Sequence, residues 1–125
     1  MIRDHPFTGV GLDQFLGQYS RRYVGLEGWP ERYTSHPHNL LLDFWLSLGS
    51  AGIAVLWLII EVTWRRVIVA LRTPFWSIQR AAIAAVAAGL VHGLIDNSFF
   101  LPYLATMTWL GLGLSGAQLE IADDG

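Results

Sequence analysis

Two histidines one residue apart, His36 and His38, stand with Asn39 directly before the first long apolar run of the chain. A neutral imidazole, with an ordinary pKa near about 6.5, can take the proton from an attacking hydroxyl at neutral pH. The alternative for the same cluster is a set of interfacial side chains, with Asn39 capping the helix that follows. A metal centre is set aside, because two histidines give too few ligands and a third would have to come from Asp43 or Asp96. His92 and Asp96 form a second polar set, four residues apart and hence on one helix face. There the carboxylate would raise the basicity of the His92 imidazole or fix its tautomer, and a cap-and-turn role beside Asn97 and Ser98 is the other reading. Arg21, Arg22 and Arg32 precede the histidines. Guanidinium groups can grip phosphate oxygens bidentately, and the alternative for each is a solvated or headgroup-facing side chain.

The elements that must position these groups are apolar. Of 125 residues, 53% are hydrophobic and 14% charged, with a mean hydropathy of +0.40. Roughly a quarter of a soluble domain's residues are charged, so this chain has too few to coat a surface in water. Net charge is −2 and lysine is absent, which leaves no basic footprint for nucleic acid. With no cysteine, disulfides, thiolate metal sites and thiol nucleophiles are excluded.

Three apolar runs predict three transmembrane helices, at about 40–60, 78–95 and 99–119, so the fold class expected is an all-α membrane protein. Pro102 falls in the first turn of the third run, where a missing amide donor does little harm. Residues 1–39 read as an external segment and 120–125 as an acidic tail. Within the external segment, Leu12, Phe15, Leu16, Tyr19 and Tyr23 recur at helical spacing and predict an amphipathic helix. Gly9 and Gly11 read as a turn. Arg65, Arg66 and Arg72 lie between the first two spans, with Arg80 at the start of the second, and lean that connection toward the cytoplasm, placing 1–39 outside. Small residues in the spans, among them Gly49, Gly52, Gly89, Gly93, Gly111, Gly113 and Gly116, predict close helix contact and further helices as neighbours. An external segment opening MIRDHPFTGV carries no export signal, so earlier helices of a longer protein are expected before it.

The runs DHPFTGVGLDQF, SHPHNLLLDFWLSLGSAG and HGLIDNSFFLPYLA resemble the C-terminal portion of the O-antigen ligase and polymerase family. The most specific element is a histidine followed by Asn, Ser or Gln, nine residues, a glycine, two residues and a small residue. Here these are His38, Asn39, Leu40 to Leu48, Gly49 and Gly52. The resemblance implies a glycosyltransferase of the bacterial inner membrane, with its active side external or periplasmic. It further implies transfer of a glycan from an undecaprenyl-diphosphate-linked oligosaccharide donor to a hydroxyl of a glycan or lipid acceptor, with no cofactor and no metal. On that reading His38 is the catalytic base, and Arg21, Arg22, Arg32 and His36 bind substrate. Asn39, His92 and Asp96 support them, membrane lipids and upstream transmembrane helices of a full-length enzyme are partners, and the isolated chain is inactive. The alternative is a small non-catalytic three-span membrane protein or degraded gene fragment packing against a larger partner.

Overall fold

The computed structural model describes residues 1–72, 78–96, 99 and 101–116. Among them the structure is all-helical, without strands: a short α1 (Phe15–Gln18) continued by a π-helical turn (Tyr19–Tyr23), a 3₁₀ turn (Trp29–Glu31), then α2 (Leu40–Arg72), α3 (Ile78–His92) and α4 (Pro102–Gly116). The expected Asn97 and Ser98 turn, the last residues of the third run and the acidic tail lie outside the described residues.

Helix α2 begins at Leu40 as expected but runs 33 residues, well past the expected end at residue 60. Arg65, Arg66 and Arg72 therefore sit on a helix and not in a loop. The extension is stable because its charges find partners. Arg65 donates to Glu61 one turn earlier at 2.7 Å, and Arg66 donates to the Ser115 hydroxyl at 2.6 Å and to the Leu112 carbonyl. Arg80, at the start of α3, donates to the Ala70 carbonyl at 2.7 Å. The Ala70 carbonyl is among the last four of α2, which lack an intrahelical partner, and the Arg80 guanidinium closes it.

Helix α2, with a mean hydropathy of 1.8 in its most apolar window, is the one described helix long and apolar enough to cross a membrane. Helix α3 is shorter than expected: it ends at His92 with a turn after it and has 15 residues, about 22 Å at 1.5 Å per residue against a hydrocarbon core of about 30 Å; α4 is described from Pro102 to Gly116. Pro102 opens α4, as its missing amide predicts. The helices share a core of Leu40, Phe44, Leu56, Ile59, Ile83, Val86 and Leu112. Phe44 is 2% exposed, and its ring lies 4.9 Å from that of Phe99. Outward faces remain apolar, with Trp57, Leu58, Trp64, Met107 and Trp109 all more than half exposed.

A break divides α2 at Gly49, which has φ 66° and ψ −146°. In an unbroken helix the Ser50 amide would donate to the Leu46 carbonyl. Instead the Leu46 carbonyl accepts from the Val10 amide at 2.6 Å, and the Ser50 amide donates to the Phe7 carbonyl at 3.2 Å. The segment around Gly9 is thus inserted into the hydrogen-bond ladder of α2, and both of these backbone groups keep a partner. The Trp45 indole N–H donates to the Pro6 carbonyl at 2.9 Å and pins the same segment. Gly9, with φ 65°, forms the expected turn, and a Cβ there would lie 2.5 Å from the Leu46 oxygen.

The glycines divide by role. A Cβ on Gly49 would lie 2.1 Å from the Phe7 oxygen and one on Gly52 would lie 2.1 Å from the Phe44 oxygen, so these two serve the break and not a helix–helix contact. Gly111 does sit against Val86 of α3, whereas Gly89 and Gly113 face open space and support no contact. The amphipathic helix expected from Leu12 is confined to 15–23: Asp13 has φ 60°, no residue of the element is buried, and the Phe15 and Tyr19 rings stack on each other at 5.3 Å.

Gly49→Ala meets both a backbone conformation reserved for glycine and a clash with Phe7. It is expected to destabilise the chain by about 3 kcal/mol or more in detergent unfolding, whereas Gly113→Ala, in open space, changes stability by less than about 1 kcal/mol. Equal effects of the two would contradict the inserted-segment arrangement.

Candidate functional site

The N-terminus of α2 and the C-terminal turn of α3 complete each other. The first amides of a helix and its last carbonyls have no intrahelical partner. Here the Leu40 amide donates to the Gly93 carbonyl at 2.6 Å. The Asn39 side chain serves both sides: its oxygen accepts from the Leu42 amide at 3.1 Å, as a cap does, and its amide nitrogen donates to the Leu94 carbonyl at 3.0 Å. The positive end of one helix dipole faces the negative end of the other, which adds to the attraction. A Cβ on Gly93 would lie 3.2 Å from that of Leu40, so the glycine permits this approach.

This junction sets the histidines. His38 precedes Asn39 and Asp96 follows the Gly93 turn, and the two meet with His38 Nδ1 2.8 Å from Asp96 Oδ1. Asp96 is thus hydrogen-bonded to His38, and not to His92 as the four-residue spacing suggested. The bond is made to one ring nitrogen. With Nδ1 donating to the carboxylate, Nε2 presents its lone pair outward, the tautomer that a base requires. The His38 hydrogen bond holds the Asp96 carboxyl below its usual value of 3.8, with the nearby charges of His38, His36 and His92 acting in the same direction against desolvation. A lowered carboxyl pKa means that the pair's contribution is present above the ordinary carboxylate range and is lost as pH falls through the lowered value. The side chains are 59% and 53% exposed, so that contribution to stability is small.

His36 joins the same group. Its ring centroid lies 5.3 Å from that of His38, and its Nδ1 shares a hydrogen bond of 2.9 Å with the Ser35 hydroxyl. One ligand atom from each of His36, His38 and Asp96 lies within 4.8 Å of the others. The third ligand whose absence weighed against a metal in the sequence is therefore brought in by folding. His92 is exposed beside the pair and acts on Asp96 through charge. Asp43 is buried, 4% exposed, and accepts from the Ser47 hydroxyl at 3.3 Å; the sequence shows its position at the helix mouth but not its burial.

Among the described residues, none of the three arginines hydrogen-bonds to His38 or Asp96. Arg21 and Arg22 lie exposed on the π-helical turn. Arg32 is held between aromatic rings, 4.8 Å from Trp29 and 4.6 Å from Tyr33, and donates to the Trp29 carbonyl at 3.1 Å. Next to the junction, a groove of about 550 Å³ runs between α3 and α4, lined chiefly by apolar residues such as Leu40, Val86, Phe99 and Met107, with His92 and Asp96 among its walls.

Comparison with known proteins falls on the same segment. Residues 1–57 match the family model described as O-antigen ligase. Over 58 residues the chain is 34% identical to the O-antigen ligase of Salmonella typhimurium strain LT2, a stretch that takes 45% of this chain and 14% of that protein. No solved structure matches. His38, Asn39, Gly49 and Gly52 lie inside the stretch that matches the family model, and His92 and Asp96 lie beyond it. Residues 1–57 thus match the O-antigen ligase family, and the resemblance read from the motif is shown over that stretch.

Proposed function

We propose that the chain acts as part of a membrane glycosyltransferase of the O-antigen ligase kind, transferring a glycan from an undecaprenyl-diphosphate-linked donor to an acceptor hydroxyl. The observation that carries the proposal is the His38–Asp96 hydrogen bond at 2.8 Å, formed by the motif histidine of the stretch that matches the family. Asp96 fixes the His38 ring so that Nε2 faces outward. Nε2 takes the acceptor proton as the oxygen attacks the anomeric carbon, and the bond to the diphosphate breaks with its electron pair leaving on the phosphate oxygen. The developing imidazolium is stabilised by the Asp96 carboxylate.

Positive charge for the leaving diphosphate comes from guanidinium groups, without a metal. Arg32 is the most firmly held of the three candidates, since its rings and carbonyl contact keep it in one position; Arg21 and Arg22 serve as exposed contacts. His36 positions the acceptor beside His38, and His92, on the wall of the same groove as Asp96, supports the site. The groove between α3 and α4 supports the lipid part of the reading: a polyprenyl chain lying in it would bring its headgroup to the level of Asp96. The three apolar runs cross the bacterial inner membrane with this site on the external face. Upstream helices of a full-length enzyme supply the rest of the enclosure, and the 125-residue chain alone is expected to show no turnover.

The test is a chimera in which this whole chain, Asp96 included, replaces the portion of the Salmonella ligase from the matching stretch onward, assayed for glycan transfer in membranes. His38→Ala in an active chimera is expected to lower transfer by about two to four orders of magnitude with insertion unchanged; full activity would remove His38 from the base role. Asp96→Asn in the isolated chain is expected to abolish the preference for the Nδ1–H tautomer of His38, read from ¹⁵N ring shifts at neutral pH, and an unchanged tautomer ratio would show that Asp96 does not orient the ring.

A further inference from the structure

The pair that presents a base also presents ligands. We propose that His36, His38 and Asp96 form a binding site for a first-row transition cation of the Zn²⁺ type, and that the ion inhibits by occupying His38. The first half stands on the geometry alone; the second rests on His38 being the base.

Three features support the site. The donor set is two imidazoles and one carboxylate, which suits Zn²⁺ and its neighbours and not the hard, oxygen-preferring Mg²⁺. The ligand atoms lie within 4.8 Å of one another. Three ligands about 2.0–2.1 Å from a tetrahedral ion are about 3.4 Å apart, so the side chains need to draw in by on the order of an ångström. His38 and Asp96 have that freedom, being more than half exposed, while the backbone that carries them is held by the Leu40–Gly93 and Asn39–Leu94 hydrogen bonds. The third feature is the short HPH sequence. Residues two apart in extended backbone point to the same side, and here the His36 and His38 rings lie 5.3 Å apart across Pro37.

Three protein ligands leave a fourth position open to water. The consequence for transfer is nonetheless inhibitory, because the imidazole lone pair that binds the ion is no longer available to accept a proton, and the ion competes with protons for the same nitrogen.

The experiment titrates ZnCl₂ into the purified 125-residue chain in detergent, followed by calorimetry, with no turnover required. The wild-type chain is expected to bind one Zn²⁺ saturably. His36→Ala, His38→Ala and Asp96→Asn are each expected to weaken binding about tenfold or more, with helicity by circular dichroism unchanged. His5→Ala is expected to leave it unaltered, and excess MgCl₂ not to compete. Absence of saturable one-to-one binding, or the same affinity in all three site variants, would overturn the site. In the active chimera, Zn²⁺ is expected to inhibit transfer over the concentration range in which it binds, and His36→Ala to shift that inhibition about tenfold higher. Tight binding with undiminished transfer would overturn the inhibitory role and the base assignment while leaving the metal site standing, whereas loss of binding alone leaves the base assignment intact.

Discussion

The candidate site depends on the mutual completion of two helix ends. Helix α2 starts with amides that have no partner of their own, and α3 ends with carbonyls in the same condition. In or near a membrane such groups find little water, so leaving them open costs several kcal/mol each. The Leu40 amide on the Gly93 carbonyl and the Asn39 side chain on the Leu94 carbonyl answer both needs together. His38 and Asp96 flank those contacts, so their meeting follows from backbone hydrogen bonding and not from attraction between two exposed side chains, which would be weak.

The same economy of backbone partners explains Gly49. A helix interrupted near its start must dispose of a free amide and a free carbonyl, and the segment carrying Phe7 and Val10 takes both. The glycine at the break and the glycine of the turn are each needed because two backbones approach closer than any Cβ allows. The external segment is therefore tied to α2 at its break, and the Tyr23 hydroxyl, donating to Asp4 at 2.6 Å, ties the π-helical turn back to that segment. That bond holds the Asp4 carboxyl below its usual value and the Tyr23 hydroxyl above its own.

Much of this was legible in the residues, within limits that have physical causes. The starts of α2 and α3 were readable because Asn39 and the apolar runs are local signals, whereas α4 starts at Pro102 and not at the expected 99. The extension of α2 to Arg72 was not, because charge normally marks a membrane edge, and only folding shows Arg66 reaching the end of α4. The motif exposed His38, but the partner of its ring is 58 residues away, and helical spacing pointed Asp96 at His92 instead. Gly49 was legible as a small residue but not as a break, since the segment that fills the break lies near the N-terminus. The third ligand beside the two histidines was hidden for the same reason.

The central claim is that residues 38 and 96 face each other across the junction of α2 and α3. The chain has no cysteine of its own, so His38→Cys and Asp96→Cys together give a pair without background. A short bifunctional thiol reagent of about 5 Å span, applied to the chain in native membranes, measures their proximity directly. Rapid intramolecular crosslinking, absent from a 38–116 pair made the same way, is the result the account predicts. Failure to crosslink while both cysteines accept a monofunctional maleimide would contradict it.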